Sequence, residues 1–246
     1  MNFIEHILEP KRLLLVWQGP EGSSRRTRHA VAELLRQSDE QVRFRYLVDT
    51  ADFKNACAEG FINYPAFRKV DQTYELGVVD TFIRRLPPRT RGDYTQYLEQ
   101  FRLRPATSIS DFALLAYTGA KLPSDGFSIV NPLEDVEQAC DLLIEVAGFR
   151  HVAKVPLETL RPGEEVQFTP ETGNLHDPHA VAVLAHGQKI GYVPRQQASA
   201  FRALYNSGSL SAQIERLNGS TERPLVYLFA ALRPVATMQP LAIQSG

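Results

Sequence analysis

Four side chains able to bind metal or move protons crowd into one short stretch. His176, Asp177, His179 and His186 lie within eleven residues. Imidazole and carboxylate are zinc ligands, so their density raises the question of a metal site. The spacing answers against it, because His176 and His179 flank a proline turn rather than one face of a helix, and a site needs a defined ligand set. No metal and no other cofactor is expected. A second group is cationic: Arg25-Arg26-Thr27-Arg28, Arg84-Arg85, and Arg89 with Arg91. Such clusters meet phosphates in nucleic-acid binders. Here Asp80, Asp93 and Glu99 supply local counter-charges, which is the pattern of a solvated face. The chain has no Gly-x-Ser-x-Gly elbow, and neither cysteine has a histidine nearby in sequence, so no enzymatic activity is expected.

The elements around the histidine-rich stretch read as strands. Val166 and Phe168 alternate with polar neighbours, and Val181 and Val183 point one way after a turn rich in Asn, Asp and Pro over 174–179. Gly187-Gln188 turns the chain into Ile190-Gly191-Tyr192-Val193, and Pro194 ends that strand because it has no amide hydrogen for a ladder. A helix follows over Ala198–Tyr205.

The first half opens with a β-like run, Arg12–Trp17, and a polar loop over 18–28. Ala30–Leu35 reads as helix, Val42–Leu47 as strand, and Asp52–Glu59 as a helix stopped by Gly60. Tyr94, Tyr97, Leu98 and Phe101 recur at helical spacing and form a buried stripe. Ser110 caps a helix over Asp111–Tyr117 that Gly119 ends. Asn131-Pro132 followed by acidic residues predicts a connecting helix over 133–146. The expected organisation is an α+β domain over 1–132, that linker helix, a small β-barrel with one helix over 147–234, and a tail over 235–246.

Composition narrows the functional classes. Hydrophobic residues make up 43% of the 246 residues and charged residues 22%, ordinary for a globular protein. The formal net charge is −1, and neither half is strongly basic, so any nucleic-acid site must be local. Apolar runs such as Leu13–Trp17 are too short to span a bilayer, and Cys57 and Cys140 lack metal-site spacing. A reducing cytoplasm and no membrane partner are expected.

The Asn174…Asp177…Ala180-Val181-Ala182-Val183 run and Ile190-Gly191-Tyr192-Val193-Pro194-Arg195 resemble the HIRAN domain, over about residues 145–232. The resemblance implies an OB-like β-barrel, found alone in bacteria and fused to DNA translocases in eukaryotes. Its eukaryotic members capture the 3′-hydroxyl end of single-stranded DNA. It implies a nucleic-acid-binding site at Arg150, His151, Asp177, Tyr192 and Arg195, with His151 where the eukaryotic domains place a tyrosine. An aromatic face stacking on a base contributes about 1–3 kcal/mol, so one or two suffice for a weak site. From the residues alone, Asn174 and Asp177 also fit turn caps and Tyr192 a packing role.

Val31-Ala32-Glu33-Leu34, Phe44-Arg45-Tyr46, Leu86-Pro87-Pro88-Arg89 and Phe112–Gly119 more faintly resemble the N-terminal subdomain of HipA-type toxin kinases. No kinase signature follows them. The expected function is a non-enzymatic protein binding single-stranded DNA or DNA ends, with the first domain recruiting a protein partner. The alternative is a protein-interaction or regulatory module, as in a toxin–antitoxin system, which the near-neutral charge favours.

Overall fold

The computed structural model describes residues 2–20, 27–38, 41–122, 124–134, 136–174, 177–207, 210–220 and 222–234. The first unit is built on a four-stranded antiparallel sheet of β1 (Arg12–Gln18), β2 (Arg28–Arg36), β3 (Val42–Tyr46) and β4 (Phe127–Val130). Its order is β3-β2-β1-β4. The run Leu13–Trp17 is buried throughout because β1 is central and covered on both faces. Four helices complete the unit: α1 (Ala51–Ala58), α2 (Val78–Ile83), α3 (Tyr94–Gln100) and α4 (Asp111–Thr118). Phe44 anchors the core, its ring stacked on Phe67 at a centroid distance of 4.5 Å.

Local signals set the helix ends. Thr50 and Ser110 accept the amides of Phe53 and Ala113 at 3.2 and 3.0 Å, satisfying otherwise free helix N–H groups. Gly60 and Gly119 end their helices at φ +102° and +70°, where a side chain is disfavoured. The stripe on α3 is partly as expected: Leu98 is buried, and Tyr94, Tyr97 and Phe101 pack on the core half-exposed.

Ala30–Leu35 is not a helix but the middle of β2. Its helix-forming residues are overridden by pairing on both edges, with β1 from Arg12↔Leu35 to Gln18↔Arg28 and with β3. That pairing buries Val31, Ala32 and Leu34 completely.

The second unit is a six-stranded curled sheet of β5 (Cys140–Glu145), β6 (Glu165–Pro170), β7 (Val181–Ala185), β8 (Gln188–Tyr192), β9 (Leu210–Ser220) and β10 (Arg223–Leu232). Its order is β5-β10-β9-β6-β7-β8. A short helix α5 (Phe149–Val152) and the longer α6 (Arg195–Ser207) complete it. The two ends of the sheet meet where Ala147 and Tyr192 exchange backbone hydrogen bonds of 2.8 and 2.9 Å. Gly191 permits the approach, because a Cβ there would lie 2.3 Å from Val146 Cγ1 and 2.6 Å from the Ala147 carbonyl oxygen. Phe201 of α6 fills the interior beside Phe168. The fold is α+β with an OB-like second unit, as expected.

The helix expected over 133–146 is also absent among the described residues. Leu133 sits at φ +60°, outside the right-handed helical region, with its amide held by Asn131 Oδ1 at 2.9 Å. Residues 140–145 instead form β5, paired with β10 from Leu232↔Cys140 to Tyr227↔Glu145. Cys140, Leu142 and Ile144 are buried. The barrel's first strand thus lies inside the segment read as a connector.

Buried and half-buried charge joins the units. Residues 2–8 run between them: Asn2 Nδ2 donates to Glu215 Oε2 at 2.7 Å, and the His6 carbonyl accepts the Asp141 amide at 2.9 Å. Glu215, 7% exposed, also pairs with Arg102 at 2.6 Å. Asp141 accepts the amides of Glu5 and His6 and pairs with Arg233 at 2.5 Å. Burial alone would push its carboxyl up, but the hydrogen bonds from Arg233, His6 and Glu5 hold it below the usual carboxylate range. No helix among the described residues is long and apolar enough to cross a membrane.

Candidate nucleic-acid interface

Where the two units meet, a cleft of about 610 Å³ opens. One wall belongs to the barrel, with Ala147, Val152, Asn174, Asp177, Ala180, Tyr192, Val193 and Arg195. The other belongs to the first unit, with Thr27, His29, Asn55, Ala58 and Glu59. Three of the five residues expected at a site, Asp177, Tyr192 and Arg195, therefore come together. The other two do not line this cleft. Arg150 and His151 are exposed on α5, and Arg150 lines a separate hollow with Arg161, Leu217 and Pro224.

Tyr192 is placed by the barrel closure and by its own hydroxyl. Its Oη donates to Glu171 Oε2 at 3.1 Å and accepts from Lys189 Nζ at 2.8 Å. Lys189 lies 4.8 Å from the ring centroid and pairs with Glu171 Oε1 at 2.5 Å. Asn174 Nδ2 donates to Glu171 as well, at 2.9 Å. Burial would push Glu171 up, but hydrogen bonds from Lys189, Asn174 and Tyr192 hold its carboxyl below the usual range. The same bond raises the Lys189 ammonium. Tyr192 is thus fixed with its hydroxyl occupied and Lys189 over its ring.

Asp177 caps its own turn. Its amide donates to Asn174 Oδ1 at 3.1 Å, and its Oδ1 accepts the His179 amide at 2.9 Å. His176 lies outside the described residues. His179 is exposed, and His186 faces Glu164 at 3.2 Å.

Arg195 opens α6, and the first three residues of that helix all reach the first unit. Arg195 Nη1 lies 2.9 Å from Asp52 Oδ1, a close ion pair. Gln196 Nε2 donates to the Arg28 carbonyl and Gln197 Nε2 to the Asn131 carbonyl, both at 3.0 Å. Asp52 is itself held, its Oδ2 accepting the Ala30 amide at 3.0 Å. The guanidinium remains half-exposed on the cleft side.

Sequence reasoning missed Glu171, Lys189 and the whole first-unit wall. Asp52, Asn55 and Glu59 are spaced as one polar face of α1, a signal that was present but pointed to no particular neighbour.

The model of the HIRAN domain family matches residues 141–228. The crystal structure of a protein from Lactobacillus plantarum is similar over 39% of this chain and 97% of its own, at 28% identity and a TM-score of 0.32. The crystal structure of the HIRAN domain of human HLTF is similar over 37% of this chain and 76% of its own, at 18% identity and a TM-score of 0.29. No curated protein matches the chain. The family match covers none of residues 1–140, so the kinase-like resemblance of the first half rests on its motifs alone. The match to the HIRAN domain family falls on the barrel, residues 141–228.

Proposed function

We propose that the cleft binds single-stranded DNA at a free 3′ end and catalyses no reaction. The observation that carries this reading is the convergence of Asp177, Tyr192 and Arg195 on one cleft at the barrel's closure. Each supplies a part such a site needs: an acceptor for the terminal hydroxyl, an aromatic face for a base, and a cation for a phosphate. Arg150 and His151 sit on the same short helix as Val152, which lines the cleft. They would meet the strand further from its end. The first domain would hold the barrel in place and recruit a protein partner, in the cytoplasm of a bacterium.

Fluorescence anisotropy with short single-stranded DNAs tests the reading. A free 3′ hydroxyl is expected to bind more tightly than a 3′ phosphate, and the double variant Tyr192→Ala/Arg195→Ala is expected to lose affinity while remaining folded. Unchanged affinity in the folded double variant would overturn the site. A second reading, a protein-interaction or toxin–antitoxin module, is favoured by the net charge of −1 and by the pairing of Arg195 with Asp52. Salt separates the two, since phosphate contacts release counterions and an apolar protein interface does not.

A further inference from the structure

The first-unit wall of the cleft holds groups that the barrel's chemistry does not use. On α1, Phe53 and Ala56 turn into the core, while Asn55, Ala58 and Glu59 face the cleft and Asp52 faces Arg195. Behind them His29 is 3% exposed and lines the same cleft. Its Nε2 lies 3.2 Å from Glu59 Oε2 and its Nδ1 3.8 Å from Asp52 Oδ1. Neither ring nitrogen, nor Glu59 Oε2, has a hydrogen bond of acceptable geometry, although all are buried. Asp52 Oδ1 is in the same position despite its close approach to Arg195. Folded proteins rarely leave buried polar atoms in that condition without a use for them.

Charge decides what such a wall accepts. Against this wall a phosphate is repelled by Glu59 and Asp52, so the backbone phosphate is left to the half-exposed Arg195 on the barrel side. A neutral group rich in N–H donors fits instead. We propose that the first domain reads the base of the terminal nucleotide, with the Glu59 carboxylate accepting from the Watson–Crick edge of guanine and Asn55 beside it. This rests on the reading of the cleft as a site for a DNA end. Guanine carries two adjacent donors, N1–H and the N2 amino group, which can share Oε1, the carboxylate oxygen not turned inward to His29. Thymine flanks its single N–H with two carbonyl oxygens and so sets like charges against the same carboxylate. A cleft of about 610 Å³ is of the size that holds one small ligand. His29 then fixes the carboxylate from behind and acts as a positioning residue.

The test uses the full chain and four single-stranded DNAs that differ only in the 3′-terminal base. Guanine ends are expected to bind about tenfold more tightly than thymine ends, the usual scale for a hydrogen bond to a charged group. Glu59→Gln is expected to abolish that preference, weakening guanine-ended DNA and, by removing the repelling charge, tightening thymine-ended DNA. Asn55→Ala, on an exposed face of α1, is expected to reduce the preference without altering thermal stability. Equal binding of all four DNAs by the unmodified chain, or a preference that survives Glu59→Gln, would overturn base reading while leaving DNA binding intact. Failure of every DNA to bind would overturn base reading and the DNA-end reading together.

Discussion

Gly191→Ala probes the close approach of backbones at the barrel's closure. A Cβ at this position would stand 2.3 Å from Val146 Cγ1 and 2.6 Å from the Ala147 carbonyl oxygen, whereas 3.4 Å or more is ordinary contact. Most of the relief must come from moving β8 away from residues 146–147 by about 1 Å, because the oxygen is backbone and cannot rotate aside. That movement stretches the hydrogen bonds Ala147 N–H to Tyr192 O and Tyr192 N–H to Ala147 O, now 2.8 and 2.9 Å, beyond useful length. Two backbone bonds contribute roughly 0.5–1.5 kcal/mol each. Residual overpacking adds about 1–3 kcal/mol. The sum is about 2–6 kcal/mol, which for a chain of this size lowers the melting temperature by roughly 5–20 °C. Differential scanning fluorimetry measures this directly. Gly92→Ala is the control, since nothing lies within 4 Å of its Cβ position and its φ is not positive. A Gly191→Ala protein melting within about 2 °C of the unmodified chain would refute the argument that this glycine is required by space.

Other consequences follow from the charges. Glu215→Ala leaves Arg102 buried without its carboxylate and is expected to destabilise by about 3–5 kcal/mol in chemical denaturation, the cost typical of breaking a buried pair. Asp141 has a folded pKa held below its ordinary 3.8, so its stabilisation is present above that value and is lost as pH falls through the lower folded value. Asp141→Asn is therefore expected to flatten the acid limb of the stability–pH curve, and an unchanged limb would contradict this. Burial, with Asp141 beside it, pushes the Cys140 thiol up to about 12. A thiol reagent at neutral pH is expected to label exposed Cys57 alone, with Cys140 reacting only after denaturation. If Arg195 meets a phosphate, Arg195→Ala should reduce the slope of log affinity against log salt by about 0.7.

What the sequence disclosed was what is locally encoded. The cap at Ser110, the stops at Gly60 and Gly119 and the turn around Asp177 depend on residues two to four apart, and each stands as read. Elements that depend on distant pairing were misread. Residues 30–35 have helical preference but sit between two strands, and 133–146 has a helix-start composition but delivers β5 to β10. The candidate site divides along the same line. Asp177, Tyr192 and Arg195 follow one another closely in the chain around one end of the barrel, whereas Glu59 and His29 reach the cleft only because the domains dock. Arg150 is close to Val152 in sequence yet lines another hollow, since neighbours on one helical turn point in different directions.

The pairing of β5 with β10 has a consequence for moving this module between proteins. A segment cut at residue 147, the barrel start expected from the sequence, would leave six consecutive positions of β10, Tyr227 to Leu232, without their neighbouring strand. Those positions carry Leu228, Phe229, Ala230 and Leu232, an apolar edge with free amides and carbonyls that invites pairing with another chain. Gene fusion or domain shuffling that respects this fold must therefore carry residues 140–145 along with the barrel. The recombination boundary lies before Cys140, in a region that by composition alone resembles a spacer.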